Sequence, residues 1–370
     1  MRVLRIDQNS PYQQLFGVGG LGSGIFFALE GNHTLGRNES RPGELLDVRD
    51  YCKLHIVIHY VAKLLGNQHF RVFPIGKVGS DAPGQSVLQE MSRVGIDNRF
   101  VRTVSDKPTM FSVCFQYPDG TGGNITTNNS AAASLRPGDL ADIASPISGA
   151  GRSSIALLLP EVSLDVRGRF LSMATHEGAF RAASFVAAEI AAAKESGMLE
   201  QLDFVALNED EASELMGDDF SPENPEACMA KCVRFLALKY PRLQMVITLG
   251  KKGAYGLDRN GWNYCPAPEV KVASTAGAGD CLLGGILAAM AAGLPLLNAQ
   301  PPRASFSERP LDTALEFGVL LASYKVTSPH TIHPDASLST AIGFGKRIGA
   351  EFSLEMQKLF GDTPVIERAT

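Results

Sequence analysis

The chain has 370 residues, of which 45% are hydrophobic and 20% are charged, and its formal net charge is −5. These values exclude a disordered or fibrous chain, and they give no electrostatic footprint for nucleic acid or for a membrane surface. The six cysteines are far apart, the first residues lack an apolar signal core, and the longest apolar stretch, 281–297, is short for a membrane span and broken by glycines. We therefore expect a cytoplasmic protein that acts on a small molecule.

The first motif along the chain is glycine-rich, at residues 17–22, and it fits the dinucleotide-binding pattern of an NAD-dependent dehydrogenase. That class needs a hydrophobic strand before the glycines and a helix after them. Residues 9–16 make a poor strand, and the chain soon reaches Gly31-Asn32-His33. The glycine pattern alone therefore does not support a dehydrogenase.

Residues 111–117 and 124–127 read as two strands of a hairpin, with the turn Pro118-Asp119-Gly120 close to its tip. Together with the segment up to about residue 50, this hairpin interrupts the rhythm of the remaining chain. We expect these two stretches to form a small β flap that is inserted into a larger body.

From about residue 65 the chain alternates β-branched runs with amphipathic stretches, which predicts a doubly wound α/β body around a parallel sheet. A strand at 70–75 precedes a helix that starts near Pro83 and stops at Gly95. A proline-rich surface loop at 300–310 should precede a final helix. Further predicted strands are 154–159, 184–187, 204–207 and 245–249, and further helices are 189–196, 209–216, 226–238, 280–292 and 311–324.

The segment Ser274-Thr275-Ala276-Gly277-Ala278-Gly279-Asp280 opens an apolar helix. Its small residues allow a ligand to approach the backbone, and the free N–H groups of the first helical turn attract an anion. A carboxylate at that point could take the proton of an attacking hydroxyl. We interpret Asp280 as a general base beside an anion hole of Gly277, Ala278 and Gly279. The alternative is a glycine turn with a capping aspartate.

Two further motifs follow predicted strands. Asn208 and Glu211 are three residues apart at a helix start, where they could hold magnesium through its waters or act only as a helix cap. Thr248 and Gly250 end a buried strand, where parallel sheets usually bind ligands. They could line a nucleotide, or they could form an ordinary strand-to-turn junction.

These three motifs, in this order and together with the glycine-containing segment 74–84, resemble the PfkB or ribokinase-like family of carbohydrate and nucleoside kinases. The resemblance covers about residues 60–330. It implies one ribokinase-like domain over 1–370, with three α/β/α layers, a central mostly parallel sheet and a β lid formed by about 22–50 and 108–128. It further implies ATP and Mg²⁺ as cofactors, a monovalent cation as an additional candidate, and a homodimer contact through the lid.

The resemblance also implies roles by position. Asp280 matches the catalytic base that accepts the proton of the acceptor hydroxyl. Asn208 and Glu211 match the pair that positions magnesium, and Thr248 and Gly250 match the nucleotide-side turn. The loop that contacts the nucleotide and the transferring phosphoryl group matches Thr275, Ala276, Gly277, Ala278 and Gly279.

The acceptor side departs from the family pattern. The usual Gly-Gly loop with an asparagine before the first helix is absent, and glycine stands near residues 22–24 where sugar kinases place an acidic residue. Asp50 and Lys53 are candidate replacements. Lys53 could bind an anionic acceptor such as a sugar phosphate or a sugar acid, although a solvated loop is an equal alternative. We therefore expect a sugar, nucleoside or sugar acid as acceptor. A kinase-like protein that binds a sugar without catalysis is the competing interpretation.

Overall fold

The computed structural model describes residues 2–66, 69–119, 121–218 and 225–362. The strands in chain order are β1 Arg2–Leu4, β2 Gln14–Val18, β3 Gly22–Leu29, β4 Gly43–Tyr51, β5 Arg71–Gly79, β6 Val101–Val104, β7 Met110–Gln116, β8 Gly122–Thr126, β9 Ser154–Leu158, β10 Phe180–Ser184, β11 Phe204–Asn208, β12 Gln244–Thr248, β13 Ala254–Asp258, β14 Gly261–Cys265 and β15 Phe360–Asp362.

The helices in chain order are α1 Lys53–Leu65, α2 Ala82–Arg93, α3 Ala144–Ala150, α4 Leu164–Glu177, α5 Ala187–Glu195, α6 Glu209–Met216, α7 Pro225–Lys239, α8 Ala278–Ala291, α9 Ala314–Lys325, α10 Leu338–Arg347 and α11 Leu354–Lys358. No helix within the described ranges is long and apolar enough to cross a membrane.

A nine-stranded sheet forms the centre of the body, in the order β14-β13-β12-β11-β10-β9-β2-β5-β6. Its strands pair in parallel except at β13, which is antiparallel to both neighbours. One apolar cluster on a face of this sheet contains residues of α1, α8 and α9, and a second cluster contains residues of α4 to α7. The sheet is therefore covered on both faces, and the predicted three-layer α/β/α architecture with a mostly parallel central sheet is confirmed.

A separate four-stranded sheet has the order β4-β3-β7-β8. Strands β7 and β8 form the predicted antiparallel hairpin, although Gly120 of its turn lies outside the described residues. Strand β3 pairs with β4 in antiparallel and with β7 in parallel orientation. The two stretches that interrupt the body's rhythm are thus joined in one small sheet.

Glycines set the close packing of the three helices on one face. A Cβ at Gly284 of α8 would lie 2.8 Å from the Val57 carbonyl oxygen of α1. A Cβ at Gly285 would lie 3.0 Å from the Leu321 side chain of α9. Real side chains do not tolerate such distances without a shift, so these glycines let α8 approach α1 and α9. The contact brings the first turns of α1 and α8 to the same end of the body.

Two strand predictions were wrong. The strand predicted at 184–187 lies earlier, at β10, because Arg181 interrupts its apolar run; this arginine is buried and paired with Asp203. The segment before Gly17, judged a poor strand, is β2, which lies between β9 and β5. Gly17 weakens its strand propensity but is needed there, since a Cβ would lie 2.7 Å from Leu54 of α1.

The region after 300 also differs from its prediction. The helix predicted as final, α9, is followed by α10 and α11. The loop 300–310 is anchored by the buried side chain of Arg303, which pairs with Glu316 and donates to the carbonyls of Phe306, Arg309 and Pro310. The proline-rich and polar composition of this stretch predicted a surface loop. The buried side chain of Arg303 instead holds the loop against the body.

Candidate active site

Lys53 and Asp280 meet where α1 and α8 begin. Lys53 is the first residue of α1, and Asp280 is the third residue of α8. The Lys53 Nζ lies 3.7 Å from the Asp280 Oδ1, and the Asp280 side chain is only 14% exposed. The nearby Asp280 carboxylate raises the pKa of Lys53. The two sequence candidates thus form one ion pair, and Lys53 is not a residue of a solvated loop.

Gly277 shapes the turn that leads into α8. Its φ is 73°, in the left-handed region that favours glycine, and a Cβ would lie 2.8 Å from the Thr331 carbonyl oxygen. At Gly279, by contrast, a Cβ would meet nothing within 4 Å. The backbone at Gly279 therefore faces open space, where a ligand can approach it.

The backbone amides of this loop divide into two groups. Ala276 donates to the Ser274 Oγ at 3.2 Å, and Ala278 donates to the Thr275 carbonyl at 3.1 Å. The first helical bond of α8 runs from the Cys281 N–H to the Gly277 carbonyl at 2.9 Å. The amides of Gly279 and Asp280 precede that bond, so the helix provides no acceptor for them. These two amides, beside the Asp280 carboxylate, are the donors available to an anion.

Glu161 is a site residue that the sequence interpretation missed. Burial raises the pKa of its carboxyl to about 7, while the charge of Lys53 lowers it and that of Asp280 raises it. Its Oε2 is buried and has no hydrogen-bond partner among the described residues. A buried carboxylate oxygen without a donor is costly. This atom is therefore a candidate acceptor for a ligand hydroxyl.

Sheet order brings Glu161 to this position. It follows β9, the neighbour of β2 in the central sheet, and its φ is 74°. A Cβ at Gly20, just after β2, would lie 2.6 Å from the Glu161 Oε2. The glycine pattern at 17–22 thus makes room for an acidic side chain, and the chain continues into β3 without a dinucleotide-binding helix. An acidic residue just past a buried strand was the available signal.

Asp50 lies in β4 of the small sheet and is 4% exposed. Its Oδ2 accepts hydrogen bonds from the Ser112 hydroxyl at 3.0 Å and the Cys114 thiol at 2.9 Å, both on β7. Burial raises its pKa, which the Asp280 charge raises further. Asp50 therefore lies within electrostatic range of Asp280, but its Oδ2 is already hydrogen-bonded within the small sheet.

The polar segment after β3 is an exposed loop. Residues 31–38 are exposed, and the side chains of this loop bond to one another. Glu39 pairs with His33 and Arg41, and Asn32 accepts a bond from the Asp119 amide. These contacts favour the solvated-loop interpretation for this part of the chain.

A direct contact connects the small sheet to the body. The Asp47 carboxylate on β4 is 2.6 Å from the Nδ1 of His330, which lies in the segment after α9. The Asp47 side chain is 3% exposed. The Thr331 hydroxyl donates to the Arg49 carbonyl at 3.5 Å. Thr331 also packs on Gly277 of the segment 274–280, which we call the anion loop. The position of the small sheet is therefore coupled to that of the loop.

Asn208 and Glu211 form a reciprocal capping box at the start of α6. The Glu211 amide donates to the Asn208 Oδ1 at 2.8 Å, and the Asn208 amide donates to the Glu211 Oε2 at 2.9 Å. Burial raises the pKa of Glu211, and the charges of Lys53 and Asp280 also act on it. The helix-cap alternative is thus present, while the Glu211 Oε1 is not used in the capping bonds and the side chain lies within electrostatic range of Lys53 and Asp280. This donor set fits a magnesium ion that keeps most of its water.

Thr248 ends β12 beside Asn208, with which it is in register. Its hydroxyl donates to the Leu207 carbonyl at 3.4 Å. Gly250 has a φ of 55° and begins a short 3₁₀ turn, and a Cβ there would meet nothing within 4 Å. These residues lie at the carboxyl end of the sheet, with open space at the turn.

The neighbouring strands β11 and β12 end at Asn208 and Thr248, and Glu161 follows β9 at the same carboxyl edge of the sheet. The charge of Asp280, in the first turn of α8, acts on Glu161. A carboxylate beside free helix-terminal amides at the carboxyl edge of a parallel sheet suits phosphoryl transfer to a hydroxyl. Comparison with known proteins gives the same class. The profile described as pfkB family carbohydrate kinase matches residues 59–337. The chain belongs to this family of carbohydrate kinases, which are phosphotransferases.

Individual relatives agree with the family. Ribokinase from Schizosaccharomyces pombe is 27% identical over 244 residues, or 65% of this chain and 73% of that protein. Ribokinase from Arabidopsis thaliana, complexed with ribose and ATP, has a TM-score of 0.64 at 19% identity and covers 92% of this chain and 100% of its own. An E. coli protein assigned as Ribokinase II, complexed with ATP and Mg²⁺, has a TM-score of 0.68 at 18% identity, with 90% and 99% coverage. At these identities the two structures show a shared fold.

Proposed function

We propose that the protein transfers the γ-phosphate of ATP to a hydroxyl of an uncharged sugar or sugar-like molecule, with Asp280 as the general base. The observation that carries this proposal is the placement of the Asp280 carboxylate beside the free amides of Gly279 and Asp280 at the start of α8. This arrangement puts a proton acceptor and anion donors side by side. Ligands named for the structural relatives, ATP and Mg²⁺ in one and ribose and ATP in another, support the choice of substrates.

The chemical step is a single displacement at the γ-phosphorus. The acceptor oxygen forms a bond to phosphorus, its proton passes to the Asp280 carboxylate, and the bond from phosphorus to the bridging oxygen of ADP breaks. The amides of Gly279 and Asp280 stabilise the charge on the transferring group. Asn208 and Glu211 would hold magnesium through water, and the ion would neutralise phosphate charge. Thr248, Gly250, Thr275 and Ala276 would line the nucleotide.

The charges around Asp280 favour an uncharged acceptor. The charge of Asp280 raises the pKa of both Glu161 and Asp50, which burial also raises, and the Lys53 ammonium is already paired with Asp280. An anionic acceptor would meet these carboxylates, while the Lys53 ammonium is paired and the Lys325 ammonium is buried against the Ser274 carbonyl. A hydroxyl, by contrast, can donate to the buried Glu161 Oε2. The anionic acceptor suggested by Lys53 in the sequence is therefore the weaker interpretation.

We further propose that the four-stranded sheet acts as a lid over the acceptor. Its strand β4 carries Asp50, whose pKa is affected by Asp280, and Asp47, which contacts the body at His330. A homodimer through this sheet stays a prediction.

An acceptor panel tests the proposed function. ADP release would be measured with neutral pentoses, hexoses, polyols and nucleosides, and with sugar phosphates and sugar acids. We expect the highest kcat/KM for a neutral polyhydroxy compound, and phosphorus NMR of the product would identify the modified hydroxyl. A sugar phosphate or sugar acid that exceeds every neutral acceptor tenfold or more would contradict the charge argument.

A further inference from the structure

Lys325 is a buried lysine behind the anion loop. It is the last residue of α9, and its side chain is fully buried. Its Nζ donates to the Ser274 carbonyl at 3.1 Å. Among the described residues, no carboxylate lies within ion-pair distance of it. An ammonium in this position has lost its water without gaining a paired charge, which is costly and rare.

Backbone contacts fix the lysine to the loop. The amides of Ala273 and Ser274 both donate to the Val326 carbonyl, at 2.7 Å and 3.3 Å. The bond from Lys325 to the Ser274 carbonyl runs in the opposite direction. The end of α9 and the beginning of the anion loop are thus tied by three bonds. The carboxyl end of α9, where its carbonyls point, also favours a positive charge.

The charged and titratable groups that face this ammonium are few. They are Cys281 and Asp280 of α8, Asp50 of β4, and His333 after α9. Burial lowers the pKa of Lys325 to about 8, and the first three of these groups raise it. Lys325 therefore differs from Lys53, which pairs with the proposed base.

Resting on the proposed function, we propose that Lys325 is a positioning residue that serves as a built-in cation for the anion loop. Its ammonium holds the loop through the Ser274 carbonyl and adds a fixed positive charge behind the amides that receive the γ-phosphate. A fixed charge in a site of low dielectric acts strongly and needs no reorganisation. An alkali ion at this loop would need carbonyl oxygens as ligands, and the ammonium already uses the Ser274 carbonyl. Transfer should therefore need no added monovalent cation.

The first test uses the unmodified protein. Turnover would be measured in buffers whose monovalent cation is sodium, potassium or tetramethylammonium. We expect rates within about twofold of one another, and kcat should fall as pH rises through about 8, when Lys325 loses its proton. A tenfold or greater activation by potassium would overturn the proposal, and so would a kcat that stays constant up to pH 10.

The second test compares Lys325→Met with Lys358→Met, an exposed lysine of α11 as control. We expect Lys325→Met to lower kcat about 100-fold while the acceptor KM stays within about threefold. Lys325→Arg, which keeps the charge, should recover part of kcat and lose the fall near pH 8. A folded Lys325→Met protein with kcat within twofold of the wild type would overturn the proposal. If that variant does not fold, the cation and pH results on the unmodified protein decide.

A binding measurement separates this inference from the proposed function. By calorimetry with Mg²⁺ present, Lys325→Met should weaken ATP binding about tenfold more than ADP binding, since the lost charge lies behind the γ-phosphate site. Equal losses for both nucleotides would overturn the inference. A wild-type protein that phosphorylates none of the acceptors would instead refute the proposed function, and the difference between ATP and ADP would still test Lys325.

Discussion

The Nζ of Lys53 lies 3.7 Å from the Oδ1 of Asp280, although 227 positions (280 minus 53) separate them in the chain. Both residues occupy the first turn of a helix, and Gly284 allows the two helices to pack closely. Burial raises the pKa of Glu161, and the same ammonium partly offsets that rise. One lysine is therefore paired with the proposed base and also acts on the carboxyl of Glu161, the proposed binding group for the acceptor.

Replacing Lys53 tests this control. In Lys53→Met the carboxyl of Glu161 loses the charge that lowers its pKa, so the acidic limb of kcat/KM should move to higher pH by about one unit. Lys53→Arg keeps the charge and serves as control. An unchanged limb in Lys53→Met would show that the ammonium does not act on Glu161.

Glu161→Gln tests the acceptor contact. Glu161 should bind a hydroxyl best when ionised, so wild-type kcat/KM should rise with pH through about 7, the pKa of this carboxyl. The glutamine variant should lose that dependence, with kcat/KM about 10–100-fold lower and ATP affinity unchanged. If Glu161→Gln keeps the rise of kcat/KM with pH, the titrating group is not Glu161.

The same group gives a prediction for stability. The pKa of Glu161 is raised from 4.5 to about 7 in the folded protein, so the folded state binds more protons between these values and stability falls as pH rises through this window. The loss should be on the order of 2–3 kcal/mol and absent in Glu161→Gln. Denaturant unfolding of both proteins at pH 5 and pH 8 measures this loss. An equal change in the free energy of unfolding between these pH values in the two proteins would contradict the prediction.

Gly277 and Gly279 form a matched pair. Gly277→Ala should cost about 1–3 kcal/mol of stability, because its φ is 73° and a Cβ would press on the Thr331 carbonyl. Gly279→Ala should leave stability unchanged, since nothing lies within 4 Å, and should lower kcat by occupying the phosphoryl space. Thermal unfolding and steady-state kinetics separate the effects. The reverse pattern would show that the open space at Gly279 is not used by a ligand.

The contact between Asp47 and His330 can be tested by a double-mutant cycle. Asp47→Asn and His330→Ala should each raise the acceptor KM, because the pair holds the small sheet against the body. Their effects should be non-additive by about 1 kcal/mol or more. Additive effects would mean that the contact does not position the sheet.

Local sequence predicted the fold class and identified the candidate anion loop because the signals for both are contiguous. The segment 274–280 holds a carboxylate and small residues directly before an apolar helix, so no knowledge of the remaining fold was needed. Strand β2 was missed because its glycine, which weakens strand propensity, serves the packing of α1.

Glu161, Lys325 and the Asp47 contact depend on tertiary structure. Glu161 reaches the site because β9 pairs with β2, a sheet order that the sequence does not state. Asp47 and His330 are 283 positions apart in the chain. Lys325 looks like an ordinary basic residue at the end of a helix, and only its burial distinguishes it.

The most direct test of the central claim is turnover by Asp280→Asn with the best acceptor of the panel. The amide keeps the shape of the carboxylate but cannot take the acceptor's proton, so kcat should fall by about 10²–10⁴-fold. ATP affinity, measured by calorimetry, should stay within about threefold, because the backbone amides of the loop remain. A kcat within tenfold of the wild type, in a folded variant that binds ATP normally, would contradict the assignment of Asp280 as the base.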